Sequence, residues 1–345
     1  MTQLTQDNST GFSGILGKIC LSPMGLAGLA ILFLLPLVPP FNQDYMIRWL
    51  ISGAIVAAAA VAFDFSAGYL GIVNFGYAAF IGLGAYTSAI ISNKIGISPF
   101  ITIFAGALVS AGLGVLTGIV SLRLRGMFAI CFTWFIGIAL MGLCLKLDWL
   151  TRGPLGLQCD GFFEGNSSLP YYYLILAIMI FTYLVLGLMI RSDYGLAFRA
   201  IGQNMEAAMT SGVHPTKYRV INFTMSCFFA GLIGGFYGHY YGILTPELLH
   251  TQKTVEVLVI AYIGGRSSLW GGIVAAFPFI FAMELLRSSL SDLPGINLII
   301  YGVFLIAIMV YYPGGVAQFF KNLTARKQRS TSSTAQKAKT AEAGV

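Results

Sequence analysis

The sequence predicts an all-α polytopic membrane protein with about ten transmembrane helices, some short or broken, and a short helix on the cytoplasmic side. Three observations carry this. Hydrophobic residues make up 57% of the 345 and charged residues 10%, too little polar surface for water alone to solvate the chain. The apolar residues fall in runs of membrane length. The 41 glycines suit many close-packed or broken spans better than a single anchor, because small residues let helix backbones approach.

In chain order, residues 1–20 are polar and read as a cytoplasmic N-terminal segment with no cleavable signal. The transmembrane body covers 21–316. Its spans are expected near 22–39, 46–63, 70–92, 98–122, 127–147, 171–190, 220–243, 254–264 (short), 272–288 and 297–313. The tail 317–345 is basic, poor in large apolar residues, and expected to be disordered in the cytoplasm. The net charge of +7 reflects the tail and the loops that the positive-inside rule assigns to the cytoplasm, not nucleic-acid binding. Parity then puts both termini inside, provided that 254–264 crosses the membrane.

The polar stretch Arg191–Tyr218 separates two apolar runs and carries its own helix signals. Asn204 can cap a helix start, Glu206 complements the positive helix end, and Ala207 and Ala208 favour helix. Gly212 suits the left-handed closing position, and Pro215 prevents resumption. The expected product is a helix of about two turns, a small-surfaced knob flanked by Arg191, Arg199, Lys217 and Arg219.

The stretch from Gly68 to Ser92 holds Gly71, Gly76, Gly82 and Gly84, with Asn74 and Tyr77 close together. Such glycine density serves either helix contact or a backbone opened beside a cavity, and the buried amide of Asn74 tilts the reading towards a cavity. A second glycine-rich turn, IGGRSSLWGG (263–272), occupies the later half and suggests an internal repeat. Among the ionisable residues in spans, Arg48, Asp64, Glu284 and Arg287 lie near span ends, where snorkelling suffices, or in the case of Glu284 and Arg287 can neutralise each other. Glu256 is a candidate pathway residue, or faces the outer water if its span is not a crossing.

No catalytic constellation emerges. The Gly17–Lys18 pair is followed by Ile19, so no phosphate loop forms. His214, His239 and His250 are isolated, and the five cysteines show no metal spacing. No cofactor or metal is expected.

Four segments resemble the branched-chain amino acid permease family of ABC importers, in particular its LivM-like subunit: GYLGIVNFGYAAFIGLGAY (68–86), GQNMEAAMTSGVHPTKYRVINFTMSCFFAGLIGGFYG (202–238), VLVIAYIGGRSSLWGGIVAA (257–276) and YGVFLIAIMVYYPGGV (301–316). Position 77 is Tyr where many relatives have His, and the Ile-x-Leu-Pro ending of the wider permease pattern is absent. The resemblance implies a subunit without its own nucleotide site in a bacterial inner membrane. Its implied partners are a homologous second permease, two cytoplasmic ATPase subunits and a periplasmic substrate-binding protein. It also implies coupling to the ATPase through Arg199, Asn204, Glu206, Ala207, Ala208 and Gly212. The glycine-rich segment and the short span then offer Gly71, Asn74, Gly76, Tyr77, Gly82 and Glu256 for the pathway. Branched-chain amino acids are the implied cargo, with urea or short amides as the alternative within the family. An ion-coupled secondary carrier is the rival mechanism.

Overall fold

A computed structural model describes residues 23–37, 43–121, 124, 126–163, 167–289, 302, 303 and 306. The expected segment 1–20, the span 297–313, the tail 317–345 and the partner role of the Arg287 side chain lie outside the described residues. The α-helices longer than one turn are α1 (Pro23–Leu34), α2 (Asp44–Ala67), α3 (Tyr77–Ile95), α4 (Pro99–Ser121), α5 (Met127–Lys146) and α6 (Leu169–Arg191). There follow α7 (Asp193–Gln203), α8 (Met205–Thr210), α9 (Pro215–Tyr241), α10 (Thr251–Gly264) and α11 (Leu269–Ser289). Six of them, α2, α4, α5, α6, α9 and α11, are long and apolar enough to cross a membrane.

Helix α2 is the axis of the bundle. Its run Ala57–Ala60, Val61 and Ala62 is buried on every side, which works because alanine lets neighbours approach from all directions. Three of its carbonyls, one turn apart, accept hydrogen bonds from other helices. Tyr77 donates to Ala59 at 3.2 Å, Ser226 to Ala62 at 2.7 Å and Asn222 to Phe65 at 2.9 Å. Each of these polar side chains thereby makes a buried hydrogen bond to backbone, while the Asn222 Oδ1 has no partner among the described residues.

Against this axis, α3, α4 and α9 cross so closely that glycines touch backbone. A Cβ on Gly84 would meet the Gly231 backbone, and one on Gly106 would meet the Gly84 carbonyl. At the end remote from α7 and α8, strand β1 (Leu157–Gln158) pairs antiparallel with β2 (Ile243–Leu244). Phe162 stacks on Phe236 beside it, and the buried His239 is within hydrogen-bond reach of the Asp160 carbonyl (2.6 Å) and the Ser88 hydroxyl (2.9 Å). His239 is thus a packing pin for this far end. Burial pushes the Cys159 thiol in the same loop up to about 12, so it stays protonated and unreactive at neutral pH.

Two expected elements differ. The span drawn from residue 70 starts as helix only at Tyr77. Residues 68–76 are non-helical and climb from the end of α2 to the level of Ala59, where Tyr77 bonds. Eight residues of helix separate Ala59 from Ala67, about 12 Å, so α3 begins inside the bundle. The short eighth span is α10, 14 residues or about 21 Å, too short to cross alone. The 3-10 turn Pro246–Leu249 supplies the rest: it descends from β2 and packs Leu249 against Gly82. The combined segment runs from β2 at the far end to Gly264, which packs on Gly271 of α11.

Candidate functional site

The knob forms as its sequence dictates. The side-chain oxygen of Asn204 accepts from the amides of Glu206 (3.0 Å) and Ala207 (3.1 Å), satisfying two of the exposed donors of the first turn. At the other end Val213 N–H bonds Ala208 O and Gly212 N–H bonds Met209 O, both at 3.1 Å. Gly212 has φ +83°. This is the paired closing pattern of a left-handed glycine cap. Pro215 opens α9 three residues after Gly212. Asn204→Ala removes the first cap, at about 1 kcal/mol. The expected result is faster amide hydrogen exchange confined to residues 205–210, with the bundle unchanged.

Asn204, Glu206, Ala207 and Gly212 are exposed, whereas Ala208 is buried against the body. Ala208 therefore belongs to the knob's anchorage and not to its outer surface. Helix α7 fastens the knob to the bundle. Phe198 is fully buried, edge-on to Phe65 of α2 at 5.6 Å and to Tyr218 of α9 at 6.3 Å. The Arg199 guanidinium lies 5.8 Å from the Tyr69 ring centroid, and Gly202 rests on the Tyr69 carbonyl. Arg219 reaches back to the Met205 sulfur at 3.9 Å.

Tyr69 is the second residue of the non-helical segment, and through it the knob meets the second glycine-rich turn. Its hydroxyl donates to Ser267 O at 2.8 Å, while the Ser267 hydroxyl donates to Gly68 O at 2.7 Å. Asp64 completes the joint: its carboxylate accepts from the amides of Ser267 (3.1 Å) and Ser268 (3.0 Å), just ahead of α11. Asp64 is buried, so the snorkelling expected of it is corrected. It is a structural acceptor for the α10–α11 turn, where Ser267 holds φ +60°. Asp64→Ala strands both amides, at a cost of about 2–4 kcal/mol. A Tm lower by several degrees in detergent is the expected reading.

The candidate pathway residues fall into three places. Gly71 has φ +70° with open space beyond it, on the exposed part of the non-helical segment. Asn74, Gly76 and Tyr77 form the start of α3. The Asn74 side-chain oxygen accepts from Gly76 N at 3.0 Å, and its Nδ2 is buried with no partner among the described residues. Gly76 abuts Thr133 O of α5, Gly82 meets Leu249, and Tyr77 is buried edge-on to Phe63. These three are packing positions at the place where two half-helices meet, since Ala78 N–H donates to Thr254 Oγ1 of α10 at 2.9 Å. Glu256 stands apart on the exposed flank of α10, paired with Lys253 at 3.0 Å. Sequence reasoning missed Lys253, whose only signal was its position three residues before Glu256.

A multi-pass membrane bundle with half-helices meeting inside it and a rigid knob at one end has the architecture of a permease. The profile of the family described as "Branched-chain amino acid transport system / permease component" matches residues 45–309. The chain belongs to that family. It is 26% identical over 277 residues to the high-affinity branched-chain amino acid transport system permease protein LivM of Salmonella typhimurium, covering 72% of this chain and 64% of that one. The LivM of Escherichia coli is 25% identical over the same coverage. The guanosine ABC transporter permease protein NupQ of Bacillus subtilis is 31% identical over 119 residues, 33% of this chain and 35% of that one. The chain thus spans about two-thirds, at 64%, of the length of the LivM relatives. No solved structure matches it.

Proposed function

We infer that this chain is one half of the translocation pathway of an ATP-driven importer whose cargo is branched-chain amino acids. The observation that supports this most directly is the knob. It is exposed, capped at both ends and fastened through Phe198, Arg199 and Gly202 to α2 and to the segment that leads into α3. A stiff projection on a bundle that lacks a phosphate loop suits force delivered from outside. On this reading Asn204, Glu206, Ala207 and Gly212 meet an ATPase subunit, and Ala208 and Arg199 hold the knob to the body. Two such ATPases, a homologous second permease and a periplasmic binding protein complete the assembly. The knob and both termini lie in the cytoplasm, and the bundle in the inner membrane. Movement of the knob tilts the attached helices as rigid bodies, with no covalent chemistry in this chain.

The cargo assignment rests on the LivM relatives, and the guanosine permease among the matches makes it worth testing directly. In proteoliposomes holding the assembled complex, leucine uptake is expected to require both ATP and the binding protein. Uptake by this chain alone on an ion gradient would overturn the reading.

A further inference from the structure

Helix α10 has two unlike faces. Thr254, Val257, Ile260 and Ala261 are buried against the bundle, while Gln252, Lys253 and Glu256 share the outer side, as spacings of three and four require. The side chains of Lys253 and Glu256 are 51% and 25% exposed. Their depth follows from the fold. Gly264, at the other end of α10, is packed on Gly271 beside the Asp64–Ser267 joint, level with the knob end of α2. Counting back at 1.5 Å per residue puts Glu256 about 12 Å and Lys253 about 16 Å from that end, near the middle of a hydrocarbon core of about 30 Å.

A carboxylate on a two-carbon stem cannot reach the interface from there, and an exposed charge at that depth is strongly disfavoured against acyl chains. The flanks that do suit lipid look different: α4 and α5 expose Leu108, Leu116, Phe128, Phe135 and Ile138. One positive and one negative group, 3.0 Å apart on one flank, match the two charges of a zwitterion.

We propose that the Lys253–Glu256 flank of α10 lines a water-filled translocation pathway and is a transit site for free amino acids. The cargo's ammonium group is handed to Glu256 and its carboxylate to Lys253. The pair neutralises itself when the site is empty, so cargo is held only in passing. This rests on the import reading above and assigns to it a wall and a binding chemistry.

The test uses the assembled transporter in proteoliposomes. Lys253→Cys and Glu256→Cys are exposed to a water-soluble, membrane-impermeant thiosulfonate, with Phe135→Cys as the lipid-face control and the parent's own cysteines as the blank. Both pathway positions are expected to react and the control not, with leucine plus binding protein slowing the reaction during ATP turnover. Glu256→Gln and Lys253→Met are expected to keep ATPase activity yet lose roughly tenfold or more of tritiated-leucine uptake, the loss of a charged hydrogen bond to cargo. Glu256→Asp should keep most of it. Failure of both cysteines to react overturns the proposal, since the flank then lies against lipid or the second permease. Reaction with unchanged uptake in the neutral variants overturns the cargo contact. If the wild-type assembly takes up no leucine on ATP, the import reading fails, and labelling still decides whether the flank faces water.

Discussion

Gly84→Val is expected to leave no folded bundle to purify. Gly84 is where α3, α4 and α9 converge, and its missing side chain is the reason they can. An added Cβ would meet the Gly231 backbone, with the carbonyl carbon at 2.6 Å, while the Gly84 carbonyl itself supports Gly106. Contacts of this kind cannot be relieved by a rotamer change, because backbone lies on both sides. Overpacking a core by methylene groups costs about 1–3 kcal/mol even where side chains can yield. Here the helices must separate, and a chain of marginal stability cannot absorb that. Gly112→Val on the exposed side of α4, where nothing lies within 4 Å, is the control. Detergent-extracted yield and Tm are expected to collapse for the first variant and change little for the second. Normal yield of Gly84→Val would mean that α3 and α9 do not cross there.

The contrast shows what the sequence could and could not convey. Glycine density announced close backbone approach but not which glycines meet, since that depends on pairing α3 with a helix more than a hundred residues away. The knob was legible in full at its ends because Asn204, Gly212 and Pro215 act on their own neighbours through local backbone geometry. Its inward residue, Ala208, was not, since alanine gives no sign of which side it faces. The break at residues 68–76 was half legible: Asn74 and the glycines suggested an opened backbone, while apolar length argued for an unbroken span. Asp64 was illegible. Its partners, Ser267 and Ser268, are over two hundred residues away, and a carboxylate near a span end looks the same whether it meets water or two buried amides. Hydropathy also cannot separate a lipid-facing flank from a helix-facing one, because acyl chains are as apolar as leucine.

On the importer reading, Gly212→Val is expected to abolish leucine uptake by the assembled complex while the chain still inserts, folds and joins its partners. The position isolates a backbone effect: a Cβ there would touch nothing within 4 Å, but φ is +83°. A residue other than glycine in this region costs roughly 1–2 kcal/mol, and a β-branched one tolerates it worst. Gly212 is exposed at the tip of a short helix, so the bundle does not bear the strain. The knob does. Its closing bonds, Val213 N–H to Ala208 O and Gly212 N–H to Met209 O, hold only while the left-handed turn is kept. Losing them frees the exit of α8 and changes the angle at which it meets α9. If ATPase movement enters here, the stroke is then spent in a loose joint. ATP hydrolysis should continue while uptake falls towards background, and Glu206→Lys, which reverses the charge at the knob's leading end, should show the same split. Gly212→Asn separates geometry from bulk, since asparagine accepts the left-handed region more readily and should restore most of the uptake. Full uptake by Gly212→Val would show that the knob's shape does not carry the stroke.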